Sequence, residues 1–368
     1  RREVLSTRLA LITVNAAVAG AIGGLIAYGA LQMDDVLRLE GWQWLLLLEA
    51  LPAIFAVPFC LFLLPDTIDD TSWLTDRQKQ LLHEWLDESP LFNNNQRSTM
   101  GEQTLSETRQ RHASISLFSS SPLPTDNNQI PNELSLFKLL RLPAVWMFAL
   151  LYLLIIIPLY SVGYYLPTLI EEFGYDELTS NLLTTPVYAF AAIAIIANAY
   201  HSDRTNERAL HVFFPGMICS LGFAAVSIGS FLEINALSFT GIFFANAGIM
   251  SIISVCLAWV TNMCSTLKEK AIVSGFTIGF GNLGGLVGPN IYALSVTENS
   301  ENEQSFAWGH FAMFVDTLLL CILCFIMYRQ YPNSSTIHNS LLSENKQQKN
   351  SLIDENKQQE NSLISEKQ

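Results

Sequence analysis

Residues 143–170 read PAVWMFALLYLLIIIPLYSVGYYLPTLI and residues 237–263 read LSFTGIFFANAGIMSIISVCLAWVTNM, and neither stretch contains Asp, Glu, Lys, Arg or His. A helix that is apolar on every side suits a membrane interior, and about 20 helical residues cross a hydrocarbon layer of ~30 Å. Working outward, six more segments meet this length, so we predict an all-α, polytopic membrane helix bundle with eight transmembrane helices. The predicted spans are residues 9–33, 43–64, 143–170, 179–200, 209–232, 237–263, 271–296 and 306–328.

The composition and the reactive residues exclude several other classes of protein. Charged residues make up 14% of the 368 residues, whereas soluble proteins carry about 25%, so a single soluble core is excluded. The net charge of -13 disfavours nucleic-acid binding. Cys321 and Cys324 form a C-x-x-C motif inside a span without a second ligand pair, and the six histidines are scattered. We therefore predict no metal, no cofactor and no enzymatic activity.

The distribution of Lys and Arg predicts the orientation in the membrane. When the stretches between spans are numbered from the N-terminus, 19 of the 20 cations fall in the odd-numbered stretches and only Arg38 falls in an even one. Cytoplasmic loops carry such an excess of positive charge. Both termini are therefore expected in the cytoplasm, and the plasma membrane is the expected location.

The spacing of the spans predicts four parts. Residues 1–64 form a partial N-terminal bundle of two helices, and residues 65–142 form a cytoplasmic loop in which Thr75 starts a short helix. Residues 143–330 form a C-terminal six-helix bundle, and residues 331–368 form a disordered cytoplasmic tail with 11-residue repeats. A six-plus-six arrangement whose first four helices are missing would give the same pattern.

Two segments carry residues suited to moving parts. Asp203, Arg204 and Arg208 lie in the short cytoplasmic turn between the fourth and fifth spans, where the acid can bind a helix N-terminus and the arginines the facing bundle. An ordinary positively charged loop would look the same. In residues 275–289, GFTIGFGNLGGLVGP, glycines four apart allow close helix approach and Pro289 favours a bend. Asn282, halfway along this span, is either a substrate contact or a helix–helix hydrogen bond.

Several motifs together resemble one family. They are GWQWLLLLEALP at residues 41–52, GYYLPTLI at 163–170, LLTTP at 182–186, the Asp203–Arg204 turn, Trp259 with Asn262, and residues 275–292. Over residues 1–330 the chain is similar to the anion:cation symporter branch of the major facilitator superfamily, especially the fungal allantoate-permease-like transporters of small organic anions and vitamins. The resemblance implies a major facilitator fold lacking its first four helices, with the chain starting in the loop before the fifth.

Candidate contacts for the solute and the proton lie inside the spans. Tyr160, Tyr164, Tyr188, Trp259 and Asn282 are predicted to line the C-terminal half of a central cavity, although aromatic stripes also serve packing. Ionisable groups inside membrane spans are costly and therefore suggest function. In this sequence the ionisable groups inside the spans are Glu49 and Asp316. Each is a candidate for proton coupling or gating, and each could equally be a hydrated or paired structural group.

The predicted function is transport of small organic solutes by alternating access, with organic anions or vitamin-like carboxylates as solutes and the proton as coupling ion. The expected partners are the lipid bilayer, the solute and the proton, and nucleic acid is not expected. The alternative is a truncated membrane protein that does not transport, or a regulatory remnant of a transporter.

Overall fold

The structure is a computed structural model that describes residues 4–63, 65, 67–71, 73–87, 139–264, 267–295, 297–298 and 304–331. The side chains of residues 84–87, 267, 297–298 and 304–305 are not described. Most of the predicted cytoplasmic loop (residues 88–138) and nearly all of the predicted tail (residues 332–368) lie outside the described residues.

The predicted all-α membrane architecture is confirmed, since the described residues contain eight helical spans long and apolar enough to cross a membrane, and the seventh of these spans consists of two consecutive helices. Each begins or ends within a few residues of its predicted span. Within the part of the chain that the structure describes, a ladder of two two-residue strands departs from the all-helical prediction. The elements are α1 (Leu5–Leu31), α2 (Gly41–Leu63), the short α3 (Asp76–Asp87), α4 (Pro143–Glu172), α5 (Glu177–Thr205), α6 (Leu210–Phe231), α7 (Asn235–Asn262), α8 (Leu267–Gly281), α9 (Gly284–Ser295), β1 (Thr297–Glu298), β2 (Gln304–Ser305) and α10 (Ala307–Gln330).

Local sequence signals set several helix starts. The backbone N–H of Thr75 donates to the Gln78 side chain at 3.0 Å ahead of α3, which is half of a capping box. Gly174 has a φ of 89° in the turn after α4, a conformation that favours glycine. Asp176 then caps α5 by accepting from the Thr179 N–H at 3.2 Å. Hydrogen bonds from Thr179 hold the pKa of Asp176 below its usual value.

The chain divides into two compact units, residues 1–54 with 136–368 and residues 55–135. The four-part division drawn from the sequence stays a prediction. In the first unit α7 is central, because 83% of its most apolar 18-residue stretch is buried. It packs closely on α6 because small residues meet there: a Cβ on Gly241 would lie 2.7 Å from the Gly222 carbonyl oxygen.

The seventh span is interrupted, where the sequence predicted one continuous helix with a bend at Pro289. α8 ends at Gly281 and α9 begins at Gly284, and the Gly285 N–H bonds the Asn282 carbonyl at 3.0 Å across the break. α9 instead continues through Pro289. Because glycines at 281, 284 and 285 weaken the helix, the interruption falls at the glycines before the proline.

Candidate functional site

Asp203 belongs to the last turn of α5, and its side chain reaches the N-terminus of α1, where it accepts hydrogen bonds from two backbone N–H groups. Its Oδ1 accepts from the Ser6 N–H at 3.1 Å and its Oδ2 from the Thr7 N–H at 2.6 Å. The first N–H groups of a helix have no partner within the helix, and the helix dipole favours a negative charge there. The end of α5 is thereby joined to the start of α1, from almost 200 residues away in the sequence.

Arg208 completes this junction. One guanidinium nitrogen, Nη1, lies 2.6 Å from Asp203 Oδ1 and donates to the hydroxyls of Ser6 at 2.6 Å and Ser202 at 3.0 Å. The Arg208 and Asp203 side chains are only 5% and 6% exposed, so both charges are withdrawn from water. A paired, buried charge of this kind is strongly destabilising to break because the remaining partner is left uncompensated. We call Ser6, Thr7, Ser202, Asp203 and Arg208 the α1–α5 junction.

The structure therefore separates the residues predicted for this turn. It brings together Asp203 and Arg208 and leaves Arg204 exposed. Sequence reasoning missed Ser6 and Thr7, although two small polar residues at the start of an apolar span are a signal for exposed helix N–H groups.

Further along, α1 and α5 meet at small residues. A Cβ on Gly20 would lie 2.8 Å from the ring of Tyr188, and the Thr185 hydroxyl donates to the Ala21 carbonyl at 2.9 Å. Tyr188, predicted to line the cavity, thus packs between the two helices.

Replacing Thr185 with Val is expected to weaken the contact between α1 and α5 by about 1 kcal/mol, because it removes an interhelical hydrogen bond. Thr261→Val is the matched control, since the Thr261 hydroxyl bonds carbonyls of its own helix. Thermal unfolding of the detergent-solubilised protein measures both. Equal effects of the two substitutions would contradict the assignment.

Of the other predicted solute contacts, Tyr160 and Tyr164 of α4 share an exposed surface. Their rings stack at a centroid distance of 6.3 Å, and they are 38% and 67% exposed. A Cβ on Gly285 would lie 3.3 Å from the ring of Tyr160, which places this aromatic pair beside the break between α8 and α9. Asn282 is exposed at that break.

Trp259 lies apart from the other predicted contacts. It is 3% exposed and packs edge-on against Phe148 at a centroid distance of 5.1 Å. A side chain in this position stabilises the interior of the helix bundle.

The two ionisable candidates inside the spans have opposite surroundings. Glu49 is exposed on α2, a helix of which only Gly41 is buried. Asp316 is half-buried near the middle of α10, and its Oδ2 is buried without a hydrogen-bond partner. A buried, unpartnered carboxylate oxygen is unusual and requires an explanation.

Two polar clusters, one of two residues and one of three, were not predicted as sites. His201 and His211 approach to 2.6 Å between ring nitrogens at the adjoining ends of α5 and α6. His310, near the start of α10, contacts both Tyr292 near the end of α9 and Glu172 at the end of α4. The positive-inside pattern assigns this cluster and the two histidines to opposite sides of the membrane. A histidine at the end of an apolar span was the available signal, but the partners are distant in sequence.

The described residues contain no group of three or more His, Cys, Asp or Glu side chains placed to hold a metal ion. An apolar groove of about 410 Å³ lies between α6 and α7 and is lined by residues such as Leu221, Thr240 and Phe244. None of the predicted solute or proton residues lines this groove.

Comparison with known proteins gives this architecture a family. Residues 1–289 match the model described as Major Facilitator Superfamily. The chain is 24% identical over 333 residues to "MFS transporter prlL" of Fungal sp. (strain NRRL 50135), covering 90% of this chain and 59% of that protein. It is 27% identical over 342 residues to "Quinolone resistance transporter" of Acinetobacter baumannii, covering 90% of this chain and 65% of that one.

A third relative is "Putative tartrate transporter" of Agrobacterium vitis, 25% identical over 327 residues, covering 88% of this chain and 63% of that protein. The chain thus spans less than two thirds of the length of these curated relatives. The eight apolar spans found among its described residues make it a multi-pass integral membrane protein. With the family model covering residues 1–289, the chain belongs to the Major Facilitator Superfamily.

Proposed function

We propose that the protein is a secondary transporter of small organic solutes that works by alternating access, with the α1–α5 junction as its cytoplasmic latch. The observation that carries this proposal is the buried contact of Asp203 and Arg208 with the start of α1. This junction joins the charged ends of the two helices through few atoms, so its breakage is expected to loosen that end, while contacts at Gly20 and Thr185 continue along the helices. A cytoplasmic position for the junction and both termini follows from the positive-inside pattern.

Organic anions, including vitamin-like carboxylates, are the proposed solutes. The resemblance to anion:cation symporters supports this class, and so does the relative named for tartrate. The exposed phenols of Tyr160 and Tyr164 and the amide of Asn282 are neutral hydrogen-bond donors that can bind a carboxylate. We assign these three residues to the solute surface. We assign structural roles to Tyr188, which packs between α1 and α5, and to Trp259, which packs against Phe148.

The proposed coupling ion is the proton, and Asp316 is its foremost acceptor. An ionised carboxylate inside a membrane span is costly unless it is paired, and Asp316 Oδ2 has no partner. Protonation of Asp316 removes that cost, so the stability of α10 within the membrane depends on whether Asp316 is protonated. Glu49 is a second candidate, and its exposed position suits contact with water or with another helix.

Reconstitution into liposomes tests this function with radiolabelled tartrate, nicotinate and allantoate. The wild-type protein is expected to exchange labelled for unlabelled solute at equal pH and to accumulate solute when the outside is acidic. Asp316→Asn is expected to retain exchange and to lose accumulation by about tenfold or more, because proton transfer groups commonly contribute at least that much. The same exchange and accumulation assays are applied to Glu49→Gln, which tests the second candidate.

Absence of exchange and accumulation for all three probes would contradict organic-anion transport and would favour the alternative of a membrane protein that does not transport. Accumulation by Asp316→Asn at the wild-type rate would instead remove Asp316 from the coupling step and leave the transport function intact.

A further inference from the structure

The apolar groove between α6 and α7 lies in the outer half of the membrane. Its volume is about 410 Å³, and the residues that line it include Leu221, Gly222, Ala225, Leu237, Gly241 and Phe244. On α7 the lining extends from Leu237 to Phe244, which lie about 3 Å and about 14 Å along the axis from the helix start at Asn235. One leaflet of a ~30 Å hydrocarbon layer is ~15 Å deep. The groove therefore has the depth of one leaflet, and the positive-inside pattern makes it the outer one.

Small residues form the floor of this groove. A Cβ on Gly222 would lie 2.5 Å from the backbone nitrogen of Ala245, so the backbones of α6 and α7 are in contact there. Glycines allow membrane helices to approach this closely. The exposed side chains of Leu221 and Phe244 also line the groove. The groove is thus the space that the glycine contact leaves beside larger side chains.

The groove opens on a face of α6 that is directed toward lipid. This face is apolar along the whole span, and its exposed side chains recur every three or four residues: Phe214, Ile218, Leu221 and Ile228. Ala225 occupies the remaining position of the same face and lines the groove. The proposed solute surface on α4 carries phenols instead. A continuous apolar face of a membrane helix is matched by lipid chains, which are as apolar as leucine.

Hydrocarbon is the occupant that this lining favours. A buried water needs about two to four polar partners. Among the described lining residues Thr240 supplies the one polar side chain, and its hydroxyl already donates to the Ala236 carbonyl at 2.7 Å. An empty groove would lose dispersion contacts along its lining.

The size and the outer end of the groove distinguish between apolar occupants. A helix of a second copy is too thick, since 10 Å of a helix about 10 Å wide fills roughly 800 Å³. The outer end of the lining is Leu237, whose side chain offers no hydrogen bond to the hydroxyl of a sterol. An acyl chain needs no such partner.

We propose that this groove binds one acyl chain of a phospholipid from the outer leaflet. The chain lies over Gly222 and Gly241 between the side chains of Leu221 and Phe244, and the headgroup stays at the outer surface beyond Leu237. The bound chain fills the space beside the closest contact of α6 and α7, so it stabilises that contact. The site is separate from the proposed solute surface, and its occupation does not depend on transport.

Photocrosslinking in vesicles identifies the occupant. The full chain is reconstituted in phosphatidylcholine that contains a small fraction with a diazirine in one acyl chain, and mass spectrometry locates the adducts formed on irradiation. Leu319 of α10 is the internal control, because it is 50% exposed against 64% for Leu221 and does not line the groove. Adduct at Leu221 and Phe244 is expected to exceed adduct at Leu319 by about tenfold, which corresponds to a preference over bulk lipid of about 1.4 kcal/mol.

A variant that fills the groove tests the site by a second route. Ala225→Phe is expected to lower adduct at Leu221 by about tenfold while adduct at Leu319 stays within about twofold. Leu319→Phe places the same ring outside the groove and is expected to leave adduct at Leu221 unchanged. Adding phosphatidylcholine to delipidated protein in detergent is expected to raise the unfolding temperature of the wild type and of Leu319→Phe by about 2–4 °C. Ala225→Phe is expected to show no rise, since a ligand stabilises only the protein that binds it.

Equal adduct at Leu221 and Leu319 in the wild-type protein would overturn the proposal, because it indicates ordinary boundary lipid. That result stands whether or not Ala225→Phe folds. Stronger labelling of the groove by a photoreactive sterol than by the phosphatidylcholine would overturn it in favour of a sterol. Efficient crosslinking of Leu221→Cys between two chains would overturn it in favour of a second copy.

Discussion

Replacing Arg208 with Met is expected to destabilise the α1–α5 junction by about 3–5 kcal/mol, because it leaves the Asp203 carboxylate buried without its cation. The Asp203 side chain is only 6% exposed, so water compensates little of the lost interaction. A change of this size corresponds to more than about a hundredfold in the opening equilibrium, since 1.4 kcal/mol is a factor of about ten. The measurement uses protein without substrate in which the native cysteines have been replaced and Thr7 has been changed to Cys. A maleimide is expected to label this cysteine faster when the junction opens more often.

Two controls isolate the buried charge. Arg204→Met changes an exposed arginine of the same turn and is expected to alter the labelling rate by no more than the equivalent of about 0.5 kcal/mol. The double variant Asp203→Asn with Arg208→Met is expected to be less damaged than Arg208→Met alone, because no unpaired charge remains. Equal labelling of Arg208→Met and Arg204→Met would refute the latch.

Gly288→Leu is expected to be the most damaging substitution in the seventh span, with a loss of about 3 kcal/mol or more in stability. A Cβ at Gly288 would meet the Ile157 carbonyl oxygen and lie 3.0 Å from its carbon, and both atoms belong to the backbone of α4. Backbone atoms cannot move aside as a flexible side chain can, so α9 must separate from α4. The temperature of unfolding in detergent measures the effect.

Gly275→Ala provides the contrast within the same glycine-rich segment. No atom lies within 4 Å of a Cβ built at Gly275, and alanine is favoured over glycine in a helix by up to about 1 kcal/mol. Its unfolding temperature is therefore expected to match or exceed that of the wild type. A similar drop for both variants would show that helix contact at Gly288 is not what the glycine serves.

The glycine pattern illustrates how far sequence reasoning extends. Three pairs of glycines four positions apart were predicted to allow close helix contact. One of these pairs, Gly284 and Gly288, does contact α4. Gly275 and Gly279 have the same spacing, yet open space surrounds both. Periodicity reports which residues share a helix face, whereas the neighbour of that face depends on the arrangement of the whole bundle.

The aromatic residues show the same limit. Tyr160, Tyr164 and Trp259 are similar in size and polarity, so composition could not distinguish an exposed ring from a buried one. The structure exposes the two tyrosines and encloses Trp259 against Phe148. The rotation of α4 and α7 about their axes decides this difference, and that rotation is set by all the helices packed around them.

By itself, the sequence determined the class, the number of membrane helices and their approximate ends. Lipid offers no hydrogen bonds, so each span must satisfy its backbone within its own helix and must be apolar over its own length, and both requirements are local. Only the tertiary structure decided which polar groups meet. Asp203 binds Ser6 across 197 positions, and His310 reaches Glu172 across 138. Such pairs form because helix packing brings distant residues together, and no local pattern encodes that packing.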